Sequence, residues 1–178
     1  MRKMDNEKQI LERAKKGDKD AMAAIIENNQ RNVFALAYRM TGNRENALDI
    51  AQDTFIKAIH NVKKFRGDSK ISTWLYSIAA NVSRDHLRKH GRVDFVPLEE
   101  TWIKSADDSP LKITEENEKR DLVRRGISTL PPKMREVFVL RYEENLPIAE
   151  IAEVLNRSQG TVKAQIFQAT EKIRAFVQ

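Results

Sequence analysis

Apolar residues recur at helical spacing through residues 1–91, and glycines interrupt the pattern at Gly17, Gly42, Gly67 and Gly91. Apolar positions three or four residues apart predict amphipathic helices, and a glycine commonly follows a helix end. The apolar positions between the glycines are Met22, Ile25, Ile26, Val33, Phe34, Leu48, Phe55, Ile59, Val62, Leu75, Ile78 and Val82. We therefore predict an all-helical first domain.

Two side chains are expected to cap helices of this domain, because Asp18 and Ser72 precede helical patterns and carry an oxygen that accepts backbone N–H groups. Residues 92–113 contain prolines and acidic pairs without a sustained period, which predicts a linker. Helical spacing returns over residues 114–178, where Thr114 is the expected first cap. The predicted fold class is all-α, with two small helical domains joined by a linker.

The C-terminal segment contains the most specific local pattern, a short helix, a tight turn and a longer helix. Pro147 opens the short helix, and the small Ala152 lies where a second helix must cross closely. Asn156 tolerates a left-handed turn, and Ser158 can cap the last helix. The packing stripe of that helix is Val162, Ile166, Ala169, Ile173 and Val177. This order is typical of a DNA-binding helix-turn-helix, although a plain helical hairpin shares its outline.

The amino-acid composition excludes several classes of protein and site. The 178 residues include no cysteine, which excludes a disulfide scaffold, thiolate metal sites and a cysteine nucleophile. No apolar run approaches the length of a membrane span, and the first residues lack the apolar core of a signal peptide. We therefore expect a cytoplasmic protein that does not insert into membranes directly.

The net charge of +6 is unevenly distributed along the chain. Residues 1–90 hold 18 basic and 11 acidic side chains, whereas residues 91–120 hold 5 and 8, and residues 121–178 hold 9 and 7. A basic block, an acidic spacer and a mildly basic block indicate two modules and a polyanionic partner.

A basic stretch with interleaved aromatic residues favours nucleic acid as that partner. Residues 57–90 contain eight basic and two acidic side chains, together with Phe65, Trp74 and Tyr76. Basic side chains attract phosphates and aromatic faces stack on unpaired bases, so the combination favours single-stranded or melted nucleic acid. The alternative is that these rings belong to a helical core. Core placement is favoured for Phe65, and both placements stay open for Trp74.

Signals for an enzyme are weak. His86 and His90 have the spacing of a metal pair, but no third ligand is evident nearby, and Arg88 and Lys89 make that face cationic. The chain shows no glycine-rich phosphate loop and no nucleophile elbow. We predict no catalytic residues, no metal site and no cofactor.

Two blocks of the chain resemble regions of one protein family. ENALDIAQDTFIKAIHNVKKF and FRGDSKISTWLYSIAANVSRDHLRKH resemble region two of bacterial RNA polymerase sigma factors, and LPPKMREVFVLRYEENLPIAEIAEVLNRSQGTVKAQIFQATEKIR resembles region four. With these two regions and a short linker, the chain is similar to the extracytoplasmic-function (ECF) group. The resemblance implies a sigma factor that directs core RNA polymerase to promoter DNA, reads and melts the minus-ten element, and reads the minus-thirty-five element.

The resemblance also implies three sets of site residues. The polymerase-binding residues are Leu48, Asp49, Gln52, Asp53, Phe55 and Ile59. The minus-ten DNA-binding residues are Lys70, Ser72, Thr73, Trp74, Tyr76, Ser77, Asn81, Arg84 and Arg88. The minus-thirty-five DNA-binding residues are Arg157, Ser158, Gln159, Thr161, Lys163, Gln165 and Gln168.

In the polymerase-binding helix, Asp49 and Gln52 are expected on the outer face. The apolar stripe of Leu48, Ile59 and Val62 is expected on the inner face, although Leu48 can serve both.

The recognition helix departs from the family pattern. Gln165, Gln168 and Thr170 stand where the family usually carries arginine. We therefore expect weak, mildly salt-dependent minus-thirty-five binding, a larger share of promoter selection by the minus-ten residues, and tighter binding on Gln165→Arg. Glutamine can still contact adenine in the major groove.

By resemblance we also expect an anti-sigma factor that wedges between the two domains, because the long polar linker leaves them free to rearrange. Two other functions stay open at this point, a stand-alone helix-turn-helix regulator of the LuxR type and a helical adaptor without a nucleic-acid role. The regulator needs an upstream receiver or ligand-binding domain, and residues 1–90 show no alternating strands to build one.

Overall fold

The computed structural model describes residues 2–90 and 115–178, with side chains described for residues 7–90 and 122–178. The chain divides into two compact units, Met1–Val93 and Asp94–Gln178. The described residues form eight α-helices and no strands, so the predicted all-α fold class is confirmed. The predicted linker and the expected stops or caps at Gly91 and Thr114 lie outside the described residues.

The first unit is a bundle of four helices: α1 (Arg2–Lys15), α2 (Lys19–Thr41), α3 (Arg44–Asn61) and α4 (Ile71–His90). A 3₁₀ turn, Val62–Lys64, follows α3. Helices α2, α3 and α4 pack against one another, while α1 packs against α2 and the 3₁₀ turn. The fully buried side chains include Ile25, Val33, Leu36, Ala47, Ile50, Ala58, Leu75, Ala79 and Ala80.

Local signals place both ends of α2. Asp18 caps α2 as predicted, because its Oδ1 accepts the N–H groups of Asp20 and Ala21, both at 3.0 Å. Gly42 ends α2 in the left-handed conformation, at φ 74°. Both ends follow from residues adjacent in the chain, which is why the sequence pattern predicts them.

The predicted cap of α4 is wrong. Helix α4 begins at Ile71, so Ser72 lies inside its first turn. The backbone N–H of Ile71 instead donates to Oε1 of Glu7 on α1, at 2.9 Å. A partner 64 residues away in the chain cannot be read from local sequence.

The second unit contains α5 (Glu115–Thr129), α6 (Pro132–Phe138), α7 (Ile148–Leu155) and α8 (Gln159–Val177). Helix α6 continues into a π-helical turn, Val139–Glu143. Helix α8 packs against α5, α6 and α7. The core side chains include Ile127, Leu130, Val137, Val139, Leu140, Ile151, Leu155, Val162, Ala169 and Ile173.

The predicted packing stripe of α8 holds along most of the helix. Val162, Ala169 and Ile173 are buried and Ile166 is half-buried, as expected for the inner face. Val177 is exposed, so the stripe ends one turn earlier than predicted. Helix ends commonly project beyond the elements that they pack against, and the spacing alone does not show where the neighbours stop.

Candidate polymerase and nucleic-acid interfaces

The outer side of α3 carries an apolar stripe. Leu48, Ile56 and Ile59 are 46%, 45% and 48% exposed, and the exposed Gln52 lies among them at helical spacing. The inner side of the helix is formed by the buried residues Ala47, Ile50, Ala51, Thr54 and Ala58. A row of large aliphatic side chains left in solvent is typical of a protein interaction surface.

The structure corrects the predicted orientation of this helix. Ile59 and Leu48 lie on the outer face, whereas Val62 is buried as expected. The reason is that three small alanines on the inner face allow α3 to approach α2 and α4 closely, which turns the larger side chains outward. Sequence reasoning missed Ile56, and the alanine spacing was the signal that could have revealed it.

Polar groups rim the stripe. Asp49, Gln52 and Asp53 are exposed, and Phe55 is half-buried. Aliphatic side chains with charged and amide groups at their edge have the anatomy of a protein interface, with an apolar centre and a polar margin. All six residues assigned to polymerase binding therefore lie on one helix with at least part of the side chain accessible.

Five of the residues assigned to the minus-ten element share one face of α4: Trp74, Ser77, Asn81, Arg84 and Arg88. Their spacing of three or four residues keeps them in a row, each at least partly exposed. This row, the α4 reading face, combines an aromatic ring, an amide and two guanidinium groups. Such a set can stack on an unpaired base, bond to its edge and neutralise phosphates.

Two other residues of that set are corrected by their burial. Thr73 and Tyr76 are 3% and 5% exposed and lie on the inner side of α4. Their side chains are buried within the first unit. Ser72 is half-buried, and Lys70 is exposed immediately before the helix.

Short-range hydrogen bonds orient the α4 reading face. Ser77 Oγ donates to the carbonyl oxygen of Trp74 at 2.7 Å, and the guanidinium of Arg84 donates to Oδ1 of Asn81. Arg88 donates to Asp85 Oδ1 at 3.1 Å. With Oδ1 of Asn81 accepting from arginine, its Nδ2 donors suit an acceptor on a base edge.

Phe65 and Trp74 form a stacked pair. Their ring centroids are 4.6 Å apart and their planes are inclined by 10°. Both side chains are half-buried, so Phe65 lies at the surface of the bundle and not in its core as favoured from the sequence. Because Phe65 covers one face of the indole, a base can stack on the other face or extend the pair.

His86 and His90 face each other on α4, with ring centroids 4.6 Å apart. Burial lowers the pKa of His86 below 6.5, His90 and Lys89 lower it further, and Asp49 and Asp53 oppose the shift. Asp49 and Asp53 belong to α3, which packs against α4. Within residues 7–90 and 122–178, no three His, Cys, Asp or Glu side chains are grouped to hold a metal ion.

The helix-turn-helix forms as predicted. Asn156 adopts the left-handed conformation at φ 51°, and the N–H of Arg157 donates to the carbonyl oxygen of Ala152 at 2.9 Å. Ser158 caps α8, because its Oγ accepts the N–H of Thr161 at 3.1 Å. Ala152 is buried where α7 meets α8. The remaining first-turn N–H groups of α8 lie at a helix end of the kind that can bind a phosphate.

Two residues assigned to the minus-thirty-five element are used inside the unit. Arg157 forms an ion pair with Glu136 of α6, and the two side chains are 12% and 2% exposed. The same guanidinium donates to Gln165 Oε1 at 3.0 Å and to the carbonyl oxygen of Lys133 at 3.3 Å. Arg157 therefore holds the turn against α6, and Gln165 is directed toward it. Both side chains are therefore engaged within the unit, and their assignment as DNA contacts stays a prediction.

Apart from the cap residue Ser158, the remaining residues of that set lie on the outer face of α8 and are exposed: Gln159, Thr161, Lys163 and Gln168. Phe167 lies among them and is 68% exposed, the largest exposure of any large apolar side chain in the described part of the chain. Sequence reasoning missed Phe167. Its position off the Val162–Ala169–Ile173 stripe is the signal that could have revealed it.

Two family models match the chain. Sigma-70 region 2 matches residues 25–93, and Sigma-70, region 4 matches residues 120–173. The first match falls in the first compact unit and the second match in the second unit.

Relatives of similar length show to which group of sigma factors the chain is similar. The chain is 36% identical to the ECF RNA polymerase sigma factor SigW of Bacillus subtilis over 176 residues, covering 94% of each chain. It is 34% identical to the RNA polymerase sigma-H factor of Pseudomonas aeruginosa, covering 95% of this chain and 92% of the relative. The chain belongs to the ECF group of RNA polymerase sigma factors.

Solved structures show the same fold. CnrH, in complex with the cytosolic domain of CnrY, is 24% identical with a TM-score of 0.71 and covers 96% of each chain. The sigma factor RpoE of Bartonella quintana, in complex with the anti-sigma factor NepR, is 22% identical with a TM-score of 0.66, covering 85% of this chain and 93% of that one.

Family membership decides between the functions left open by the sequence. The protein is a sigma factor, which binds core RNA polymerase and directs it to promoter DNA, and the LuxR-type regulator and the adaptor are set aside. Sigma factors are non-enzymatic initiation factors. Among the described residues, no helix combines the length and apolarity that crossing a membrane requires.

Proposed function

We propose that the exposed apolar stripe of α3 is the surface that binds core RNA polymerase. The observation that carries this proposal is the exposure of Leu48, Ile56 and Ile59 in a helix whose inner face is already filled. A partner that covers these exposed aliphatic side chains removes apolar surface from water, which favours the complex. The exposed Asp49 and Gln52 supply directional polar contacts at the rim.

The α4 reading face captures the melted minus-ten strand. Trp74 with its Phe65 partner offers a stacking surface, and Asn81 offers donors to a base edge. The exposed Lys70 and Arg88 contact the phosphate backbone at either end of the row. An aromatic and cationic surface of this kind prefers unstacked bases over intact duplex, so strand capture itself favours melting without ATP.

Helix α8 reads the minus-thirty-five element through its outer face. The capped N-terminus and Lys163 contact phosphates, and Gln159 and Gln168 bond to base edges. Phe167 packs against the methyl group of a thymine, which is the apolar feature of the major groove. Lys163 is the one basic side chain within residues 159–168 of α8, so the affinity is low and depends only mildly on salt.

An anti-sigma factor controls access to the α3 stripe. CnrH binds the cytosolic domain of CnrY and Bartonella quintana RpoE binds the anti-sigma factor NepR, and both share this fold. A regulator that covers Leu48, Ile56 and Ile59 excludes polymerase from the same side chains.

The protein acts in the cytoplasm, carries no catalytic activity, and uses residues 1–91 and 114–178 as separate modules joined by 92–113.

The test compares two double variants on α3. Leu48→Ser with Ile56→Ser removes the apolar stripe, and Glu45→Ser with Lys57→Ser alters exposed charged side chains of the same helix. Full burial of a large aliphatic side chain is worth about 1.5–3 kcal/mol, so the stripe variant should lose at least about tenfold in core affinity. The measurements are core-polymerase binding and run-off transcription from a cognate promoter.

Circular dichroism must be native-like in both variants, since the altered side chains are exposed. Equal core affinity of the stripe variant and the charge variant would contradict the docking proposal. If the stripe variant keeps core binding but loses transcription, the stripe acts after the holoenzyme has assembled. That result would also contradict the docking proposal.

A further inference from the structure

The start of α4, the helix that carries the α4 reading face, depends on α1. No residue next to α4 in the chain accepts the N–H of Ile71, and the acceptor is Glu7 Oε1, at 2.9 Å. The N–H of Trp74 donates to the carbonyl oxygen of Lys70 at 3.1 Å, which completes the first turn. A carboxylate at this end satisfies a backbone donor and interacts favourably with the helix dipole.

A second contact joins α1 to the loop that precedes α4. Gly67 adopts φ 83°, and a Cβ atom on it would lie 3.5 Å from Leu11 Cδ2. Leu11 is buried and lies one helical turn after Glu7, so both side chains project from the same face of α1. The same helix packs against the 3₁₀ turn Val62–Lys64. Helix α1 thus contacts the loop at its beginning, its middle and its end.

The loop between α3 and α4 carries groups that nucleic-acid capture requires. Lys63, Lys64, Arg66 and Lys70 are exposed along it, and Phe65 stacks on Trp74. An irregular loop loses conformational entropy when it is ordered on a ligand. Contacts that order it beforehand lower the cost of binding.

We infer that Glu7 is a positioning residue for minus-ten strand capture, acting through the backbone of Ile71 and, with Leu11, through the loop. This inference rests on the proposed role of the α4 reading face. Helix α1 lies upstream of residue 25, where the region 2 match begins, so the family model does not include this contact. The carboxylate holds the first turn of α4 and the Phe65–Trp74 pair in the orientation that accepts an unstacked base.

The test uses holoenzyme reconstituted with the full chain and compares Glu7→Ala, Glu7→Gln and Glu12→Ala. Glutamine keeps an oxygen acceptor for the N–H of Ile71, while alanine removes it. Glu12 is an exposed acid on the same helix that pairs with Lys15, so its variant is the matched control. We measure open-complex formation with potassium permanganate and, separately, core-polymerase affinity.

A spectroscopic readout reports the position of the loop. The free chain has two tryptophans, so replacing Trp102 by phenylalanine leaves Trp74 as its single tryptophan emitter, and quenching is measured without core polymerase. Acrylamide quenching of Trp74 should increase in Glu7→Ala and stay at the parent level in Glu7→Gln and Glu12→Ala. A residue that only added global stability would not change this quenching well below the melting temperature.

We expect Glu7→Ala to form about fivefold fewer open complexes, which corresponds to the free energy of one helix cap. Glu7→Gln should recover open-complex formation to within about twofold of the parent. Neither variant should change core affinity. Asn81→Ala serves as the reference for the reading face. Normal melting in Glu7→Ala alongside a defect in Asn81→Ala would overturn the role of Glu7. Normal melting in both would overturn the minus-ten proposal as well, and a Glu7→Gln defect as large as that of alanine would overturn the hydrogen-bond mechanism.

Discussion

The two helices assigned to promoter reading, α4 and α8, hold their polar side chains in different ways. On α4, Arg84 bonds to Asn81 and Arg88 to Asp85, pairs three residues apart at the surface. Ahead of α8, Arg157 is paired with a carboxylate that is 2% exposed. Exposed pairs of the first kind are worth little, so they can be exchanged for contacts to DNA. A buried pair cannot be exchanged in this way, because separating it leaves a charge inside the protein.

This comparison shows that the position of a polar side chain in a DNA-binding motif does not by itself make it a DNA contact. The guanidinium groups of α4 remain accessible, whereas that of Arg157 is used to build the helix-turn-helix itself. The DNA contacts of α8 are therefore expected on its outer face, which has Phe167 and few charged side chains. Promoter selection in this protein is therefore expected to depend more on the first unit than on the second.

The largest effect should come from Arg157→Ala. Removing the guanidinium that faces the buried carboxylate of Glu136 should lower the free energy of unfolding of the second unit by about 3 kcal/mol. Chemical denaturation followed by circular dichroism measures it. Arg174→Ala, which alters an exposed pair with Glu171, is the matched control and should change stability little.

A double variant shows whether Arg157→Ala acts by leaving Glu136 as an unpaired buried charge or by removing a DNA contact. Arg157→Ala combined with Glu136→Gln removes both charges and should recover part of the lost stability, since the remaining amide is less costly to bury. If Arg157→Ala instead weakens minus-thirty-five binding while the unit stays as stable as in Arg174→Ala, Arg157 is a DNA contact after all.

Asn81→Ala should impair promoter opening by about tenfold, because a good polar contact to a base edge is worth about 1–3 kcal/mol. Gln165→Ala should impair it less, since Gln165 is directed toward Arg157. Permanganate reactivity of the minus-ten thymines on mutant holoenzymes measures both. Asn61→Ala is the control, because this exposed asparagine of α3 belongs to none of the assigned sets and donates to the carbonyl oxygen of Lys57 in its own helix. Equal defects in Asn81→Ala and Gln165→Ala would remove the distinction between the two helices.

Arginine substitutions on α8 sharpen the comparison further. The structure revises the expectation for Gln165→Arg, because a second guanidinium would lie beside Arg157 in place of the amide oxygen that it contacts. We expect no tighter binding from Gln165→Arg. Gln168→Arg, on the exposed face, should tighten minus-thirty-five binding and change the salt slope by about 0.9. Salt-titrated binding to duplex DNA measures both, and a steeper slope for position 165 than for 168 would contradict the assigned outer face.

The smallest effect concerns pH and the first unit. Burial, His90 and Lys89 hold the pKa of His86 below 6.5, against the attraction of Asp49 and Asp53. The unfolded chain therefore binds more protons at this site, so stability falls as pH decreases through 6.5 and levels off below the folded-state pKa. Denaturation midpoints between pH 8 and 5 should show a shallower decline in His86→Asn than in the parent. His60→Asn, an exposed histidine of α3, should keep the parent slope.

Several parts of the fold were determined by the sequence alone. Asp18 caps α2, Asn156 takes the left-handed turn and Ser158 caps α8, each as predicted. These outcomes depend on groups within three residues of one another, so a side chain and the backbone next to it are enough to specify them. The order of the helices and the all-α class follow from the same local signals and from the period of the apolar residues.

Only the tertiary structure decided which side chains face outward and which are used internally. The stripe of Leu48, Ile56 and Ile59 points outward because alanines fill the tight contacts with α2 and α4, a matter of packing volume that hydrophobicity does not reveal. Arg157 is internal because Glu136, 21 residues away, is buried beside it, and α4 is capped by Glu7 across 64 residues. Contacts between residues far apart in the chain depend on how the helices meet, which the local pattern of the sequence does not specify.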